Sequence, residues 1–177
     1  MMLGLCSTLA VTNNLRNSFA MSIGVVFVSC SSSTIVSIIR SIIPSRVRMA
    51  VFMMIISTFT IVVDQILKAH YPIISESLGP YVGLIITNCI VMGRVEAYAI
   101  SNPVFPSFID ALGVSSGYAF SLLLIAAIRE LMGFGTFFGI TILGGWWTPW
   151  VIMILPPGAF FVLGLYIWLL RSISSEV

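Results

Sequence analysis

Charged side chains are scarce in this chain of 177 residues. They make up 8% of it, against 59% hydrophobic residues, and the mean hydropathy is +1.12. A soluble domain carries roughly 25% charged residues, and so few charges cannot cover a surface that faces water. The composition therefore predicts an integral membrane protein that lies in a lipid bilayer. The formal net charge of +2 is too small to indicate a nucleic-acid partner.

Motifs that form disulfide frameworks or bind nucleotides are also missing. The three cysteines do not form an even, closely spaced set, which argues against a disulfide framework. No Cys-x-x-Cys pair is present, so the pattern alone indicates a metal only weakly. Because there is neither a Walker-type lysine nor a Rossmann strand–turn–helix pattern, we expect the chain itself to bind no nucleotide.

Long apolar runs dominate what is present. A helix needs about 20 apolar residues to cross the core of a bilayer. Four stretches satisfy this requirement: 19–40, 49–69, 115–132 and 150–170. Two further apolar stretches, 1–12 and 80–93, are too short for a full crossing, and the second is expected to end at a break between Gly93 and Arg94. Each short stretch holds one cysteine, Cys6 or Cys89.

The order short, long, long, short, long, long is described most simply as a repeat. The first long span of each half ends in an Ile-Arg pair, at 39–40 and 128–129. An odd number of crossings per half places the halves in opposite orientations, and matching short segments then point to a site at the membrane midplane. The alternative is that the short stretches are merely stubby helices with little tilt.

We therefore predict an all-α integral membrane protein that forms a single membrane domain over residues 1–177. Its six transmembrane segments are expected to form two inverted three-helix repeats, about 1–72 and 73–177, in which segments 1 and 4 are short half-helices. Arginines cluster at and beside the loop 41–48, and short loops rich in Arg and Lys lie on the cytoplasmic side. Both termini are then expected in the cytoplasm.

Charged residues near the ends of segments are expected at the membrane interfaces, where they pair with neighbours. This expectation covers Arg94 with Glu96 and Arg129 with Glu130. The tryptophan-rich sequence 144–150 is expected to form an aromatic belt at the interface before the last span.

The cysteines of the two short stretches have more than one interpretation. A buried cysteine often behaves as a small hydrophobe. Cys6 and Cys89 cannot complete a four-ligand iron–sulfur site, but they could form half of one if a second chain supplied the rest. They could also form a redox disulfide, and spacing alone does not choose. Cys30 has no match in the other half and is predicted to be a packing residue.

Asp64 lies inside an apolar span, where an ionisable group indicates a functional site. It could line a path for a cation. The alternative is an ion pair with Lys68 at the interface, because an acid four residues before a base on a helix favours that pairing.

Several motifs carry a resemblance to a known family. They are LGLCSTLAVTNNLRNS, IPSRVR, IVVDQILKA, VGLIITNCIVMGRVEAYA and PSFIDALG. With these motifs the chain resembles, over essentially its whole length, the family of D-type membrane subunits of the sodium-translocating NADH:quinone oxidoreductases. The related subunit of the Rnf-type ferredoxin:NAD oxidoreductase shares the Asn-Cys and Gly-Arg-x-Glu-Ala patterns and is the alternative within the same class.

The resemblance implies a cofactor and a site. In this family, the D-type subunit and a similar E-type subunit insert in opposite orientations, and their cysteines together hold one [2Fe–2S] cluster inside the membrane. Cys6 and Cys89 match the ligand positions. Asn88 is expected to satisfy backbone groups or sulfur lone pairs beside them.

The resemblance also implies an activity and partners. The cluster relays electrons between flavins on the cytoplasmic and outer faces while sodium moves outward. NADH, FAD, FMN and quinone bind to other subunits of a six-subunit complex in the bacterial inner membrane. The chain is thus expected to belong to an enzyme, a redox-driven translocase, without being catalytic alone.

Two other classes of function remain as alternatives. An inverted-repeat secondary transporter would have the same interrupted segments, and a purely structural membrane subunit would tolerate the loss of its thiols. Only the iron–sulfur interpretation predicts that Cys6 and Cys89 are essential while Cys30 is not.

Overall fold

The described part of the chain is helical apart from one short pair of strands. The computed structural model describes the backbone of residues 5–12, 14–70, 72–137, 140–141, 152 and 155–174. Within these ranges it does not describe the side chains of residues 5, 6, 73–75, 77, 78, 136, 137, 140, 141, 156, 173 and 174.

Seven α-helices of very different length follow one another in the described part of the chain. In order they are α1 (Leu5–Val11), α2 (Leu15–Ile39), α3 (Arg48–His70), α4 (Pro72–Ile86), α5 (Cys89–Arg94), α6 (Val104–Gly133) and α7 (Pro156–Ser174). A π-helical segment, Val95–Ala99, continues α5 without interruption. After α6, the two-residue strands β1 (Thr136–Phe137) and β2 (Ile140–Thr141) pair antiparallel. The predicted all-α class is confirmed, with this small pair of strands as an addition.

Four stretches of the described chain are long and apolar enough to cross a membrane. They are Leu15–Ile39, Arg48–His70, Gly79–Ala99 and Val104–Gly133. The spans predicted over 19–40 and 49–69 correspond to α2 and α3, and the span predicted over 115–132 lies within the longer α6. The chain is therefore a multi-pass membrane protein, as its composition predicts.

The last predicted span, 150–170, falls partly outside the described residues. α7 contains an apolar stretch, Pro157–Ser172, that is shorter than a full crossing. The tryptophan-rich sequence 144–150, with its expected aromatic belt, lies wholly outside the described part of the chain.

The second short stretch is interrupted earlier than the sequence pattern suggests. The helix breaks at Thr87 and Asn88, and the predicted break between Gly93 and Arg94 is wrong, because the chain stays helical through both residues. The helical stretch around this break is also longer than predicted, since α4 begins at Pro72. Gly79–Ala99 is long and apolar enough to cross a membrane, so the expectation that 80–93 is too short for a full crossing is wrong. Asparagine favours a helix start because its side chain caps the first backbone N–H groups, whereas a single glycine is tolerated inside a helix.

α2 and α6 form the central helix pair, which has the most extensive contact in the described part of the chain. The backbone N–H of Leu15, at the start of α2, donates to Oε2 of Glu130 near the end of α6 at 2.6 Å. At the other end, the Ser37 hydroxyl donates to the carbonyl of Asn102, just before α6, at 2.7 Å. The two helices therefore run antiparallel along their length.

Buried serines are concentrated on these two helices. They are Ser18, Ser22, Ser29, Ser32, Ser33 and Ser37 on α2 and Ser107 and Ser115 on α6. Small side chains let helix backbones approach closely in a membrane, where apolar burial contributes little to association. Hydroxyl groups can donate to carbonyls one turn earlier on the same helix, as Ser22 does to Ser18 and Ser115 does to Ala111. Cys30 is also buried on α2, where a packing residue is expected.

Ser115 and its neighbour Ser116 offer a matched test of this packing. Ser115 is fully buried, whereas Ser116 is exposed on the outer face of α6. We expect Ser115→Leu to destabilise the fold by roughly 1–3 kcal/mol, because the larger side chain overpacks the interior. Ser116→Leu should leave stability nearly unchanged. Thermal unfolding of the purified protein in detergent checks both, and equal melting temperatures would contradict the close packing at Ser115.

Candidate functional site

Three buried polar side chains join the two segments that hold Cys6 and Cys89. Nδ2 of Asn88 donates to the hydroxyl of Ser7 at 3.2 Å. The same Ser7 hydroxyl is hydrogen-bonded to the hydroxyl of Tyr118 at 2.5 Å. Ser7 directly follows Cys6 and Asn88 directly precedes Cys89, so two segments that are distant in sequence meet at one place.

Asn88 occupies the break between α4 and α5 and uses its whole side chain there. Its Oδ1 accepts from the backbone N–H of Ile90 at 3.2 Å, which caps the first turn of α5. Its backbone N–H donates to the carbonyl of Ile85, and its own carbonyl accepts from Met92. Asn88 therefore ends α4, begins α5 and bonds to α1. These bonds fix the geometry of the turn between α4 and α5.

Tyr118 is the fifteenth of the 30 residues of α6 and so lies at its middle. At about 1.5 Å per residue, it is about 12 Å along the helix axis from Asp110 and about 18 Å from Glu130. These two distances add up to about 30 Å, the thickness of the hydrocarbon core of a bilayer. The polar bridge from Asn88 through Ser7 to Tyr118 thus lies between two charged positions that are one membrane core apart.

The structure places each cysteine differently. Cys89 is the first residue of α5 and is partly exposed. Cys6 lies in α1, and its side chain is outside the described part of the chain. Cys30 is buried on α2 and interacts with Ser115 of α6. Among the residues that the structure describes, no group of three or more His, Cys, Asp or Glu side chains is arranged to hold a metal ion.

Arg129 and Glu130 lie near the end of α6 and are buried, with 3% and 4% of their surface exposed, and the predicted pairing with neighbours is present. Glu130 accepts from the N–H of Leu15, and Arg129 donates to the hydroxyl of Thr12 and to the carbonyl of Leu155. Both side chains therefore serve the junction between α1 and α2.

Charged side chains are buried at the junction between α1 and α2 because the backbone groups there need partners. Inside a bilayer, water cannot satisfy the N–H and C=O groups that a helix break releases. A carboxylate at a helix start pairs with these N–H groups and with the helix dipole. On the α1 side, the hydroxyls of Thr12 and Ser18 donate to the carbonyls of Thr8 and Val11.

Arg94 is paired with Asp110 of α6, a residue that sequence reasoning did not single out. Nε of Arg94 donates to Oδ2 at 2.9 Å, and Nη2 contacts Oδ1. The guanidinium also lies over the ring of Tyr98, 5.6 Å from its centroid. The signal in the sequence is an acid inside the apolar stretch that begins α6, yet only the packing of α5 against α6 identifies its partner.

Asp64 forms the ion pair with Lys68 that the helix spacing favours, at 2.5 Å. The two side chains are 21% and 57% exposed on α3. The ion pair with Lys68 that the alternative interpretation predicts is thus present in the structure. A role of Asp64 in a cation path stays a prediction.

The long apolar helices, the two interruptions and the buried polar bridge define a multi-pass membrane protein built around broken helices. The family model described as "Rnf-Nqr subunit, membrane protein" matches residues 1–167. The chain belongs to this family of membrane subunits.

Three relatives are about half identical to this chain over nearly its whole length. A protein of Tolumonas auensis is 49% identical over 179 residues, which cover 98% of this chain and 83% of the relative. One of Photobacterium profundum is 51% identical over 176 residues, with 97% and 84% covered. One of Pseudomonas aeruginosa is 49% identical over 179 residues, with 98% and 80% covered. All are named as the D-type subunit of a Na(+)-translocating NADH-quinone reductase, and the resemblance seen in the sequence is confirmed.

Glu130 and Asp64 offer a test that compares a buried acid with a partly exposed one. We expect Glu130→Ala to lower the melting temperature, because the N–H of Leu15 loses its acceptor and a hydrogen bond to a charged group is worth about 1.5–3 kcal/mol. Asp64→Ala should change stability little, since an i,i+4 pair on a helix contributes only about 0.2–0.5 kcal/mol. Thermal unfolding in detergent measures both. An equal effect of the two substitutions would contradict a structural role of Glu130 at the junction.

Proposed function

We propose that this chain is a membrane subunit of a redox-driven sodium pump, a NADH:quinone reductase of the kind that its relatives are named for. Its proposed task is to supply two thiolate ligands, Cys6 and Cys89, to a [2Fe–2S] cluster inside the membrane. The observation that carries the proposal is the buried hydrogen bond between Asn88 and Ser7, because it draws both cysteine-bearing segments to one place.

The donor set fits half of an iron–sulfur site. A [2Fe–2S] cluster takes four protein ligands, most often thiolates, and this chain offers two cysteines on segments that meet. A homologous chain, the E-type subunit of the proposed six-subunit complex, would supply the other two ligands. The partial exposure of Cys89 is compatible with sharing, because a shared ligand must reach the surface of its own subunit.

The surroundings suit a redox centre that is kept from water and lipid. Ser7, Asn88 and Tyr118 are all buried, and they lie near the middle of the longest described helix. Low solvent exposure and hydrogen bonds around the sulfurs tune the potential of such a centre. When bound, the cluster supplies a one-electron carrier between flavins on the two faces, while NADH, FAD, FMN and quinone bind to other subunits.

Contacts at the two ends of the central helix pair support inverted repeats as the architecture. The end of α6 bonds to the junction before α2 through Arg129 and Glu130. In the same way, the end of α2 bonds to the junction before α6 through Ser37. A pseudo-two-fold axis in the membrane plane would produce this exchange. The proposed halves are 1–72 and 73–177, with both termini on the cytoplasmic side of the bacterial inner membrane.

Sodium is the proposed cargo, and its transport is proposed to follow the redox state of the site. Reduction of the cluster would shift the balance between two packings of the short segments, which requires that the two states are stabilised differently. Asp64 is the proposed ligand in the ion path, because it is an acid inside a span-capable helix. The names of the relatives support this pump over an Rnf-type ferredoxin:NAD oxidoreductase.

Removal of single cysteines tests the cluster. We expect Cys6→Ala and Cys89→Ala each to abolish one two-iron EPR signal of the purified complex and to lower its iron and acid-labile sulfide content by one cluster. Cys30→Ala is the control and should keep the signal, because Cys30 packs between helices. If both Cys6→Ala and Cys89→Ala retain the signal and sodium-coupled quinone reduction, a secondary transporter or a structural subunit becomes the better interpretation.

Asp64 is tested through the sodium dependence of the rate. We expect Asp64→Asn to raise about tenfold the sodium concentration needed for half-maximal quinone reduction, because a lost charge-assisted contact of about 1.4 kcal/mol changes affinity by that factor. Lys68→Gln is the control, since it breaks the ion pair but keeps the acid. An unchanged sodium dependence in Asp64→Asn would leave the pair with Lys68 as the whole role of this residue.

A further inference from the structure

Tyr118 connects the two cysteine-bearing segments to a third element. Its hydroxyl bonds to Ser7, which in turn accepts from Asn88. All three side chains of this bridge are buried, and the hydroxyl of Ser7 lies at its centre. One phenol at the centre of α6 therefore bonds to the residue that adjoins Cys6 and, through it, to the residue that adjoins Cys89.

We propose that Tyr118 is a positioning residue for the two proposed cluster ligands, acting through Ser7 on the segment of Cys6 and through Asn88 on the segment of Cys89. The inference rests on the proposed cluster site. Groups that hydrogen-bond behind a metal ligand orient it and tune the metal. Here Cys6 stands on a helix of seven residues and Cys89 is the first residue after the break at Thr87 and Asn88, so both positions depend on contacts with a neighbour.

α6 supplies those contacts. It has 30 residues and packs along its length against α2. The aromatic ring of Tyr118 is buried in the same core cluster as Ile90 and Val91 of α5 and Val11 of α1. Packing thus fixes the ring, and the hydroxyl at its end sets the position of both short segments. A phenylalanine would keep the packing and lose only the bridge.

α7 provides a matched control for that substitution. The hydroxyl of Tyr166 bonds to the hydroxyl of Ser121 on α6 at 2.9 Å, which is the same pair of chemical groups joining two helices. Ser121 is about one helical turn from Tyr118. Neither Tyr166 nor Ser121 adjoins a cysteine in the sequence, so the loss of this bond tests the general effect of removing a tyrosine hydroxyl next to the site.

The experiment compares Tyr118→Phe and Tyr166→Phe in the intact purified complex. The cluster is observed by EPR and redox titration, after subtraction of the spectrum of the Cys89→Ala complex. We expect Tyr118→Phe to retain the signal but shift its g-values, and to change the ratio of reduced to oxidised cluster at a fixed potential about two- to tenfold, the factor that one hydrogen bond is worth. A tenfold change corresponds to about 59 mV for one electron. Tyr166→Phe should leave both readouts unchanged.

Ser7→Ala is a second, independent variant, because it cuts the same bridge at its central residue without changing α6. It should move the potential in the same direction as Tyr118→Phe. Unchanged g-values and potential in both Tyr118→Phe and Ser7→Ala would overturn the positioning role alone, provided that Cys89→Ala abolishes the signal. If Cys89→Ala leaves the signal intact, the cluster proposal fails, and the positioning role fails with it.

Discussion

A helix that breaks inside a bilayer releases backbone N–H and C=O groups that neither water nor lipid can satisfy. The architecture of this protein depends on how that requirement is met. At the junction between α1 and α2, Glu130 accepts from the first N–H of α2, and the hydroxyls of Thr12 and Ser18 donate to the last carbonyls of α1. At the junction between α4 and α5, the side chain of Asn88 caps the new helix. Each break is thus held by polar side chains.

Helix α6 contributes to most of the contacts that hold the short segments. α6 presents Asp110 to Arg94, Tyr118 to Ser7, and Arg129 and Glu130 to the α1–α2 junction. These contacts extend over about 30 Å of helix, which equals the thickness of a hydrocarbon core. Because α6 also packs along α2, the positions of both short segments are tied to the most extensive helix pair in the described part of the chain.

The closely packed pair of α2 and α6, with short segments attached to it, suits the proposed redox site that two subunits would share. A ligand at the end of a short helix can reach a partner subunit at the midplane. A straight helix that spans the whole membrane has no end at that depth. The cost of a polar centre in lipid is lowered when packed helices surround it. A bistable arrangement is also easier to build from short segments whose junctions depend on a few buried bonds, because few contacts must change between the two states.

Local patterns in the sequence determined the membrane class, the spans of α2 and α3, and the motifs that place the chain in its family. The pair of Asp64 and Lys68 could also be predicted from the sequence, because i,i+4 spacing is a property of a single helix. Tertiary structure alone decided the partner of Arg94, the burial of Arg129 and Glu130, and the bridge through Tyr118. These join residues that lie 16 to 117 positions apart. Such pairs arise from helix packing, and no local periodicity encodes which faces of two helices meet.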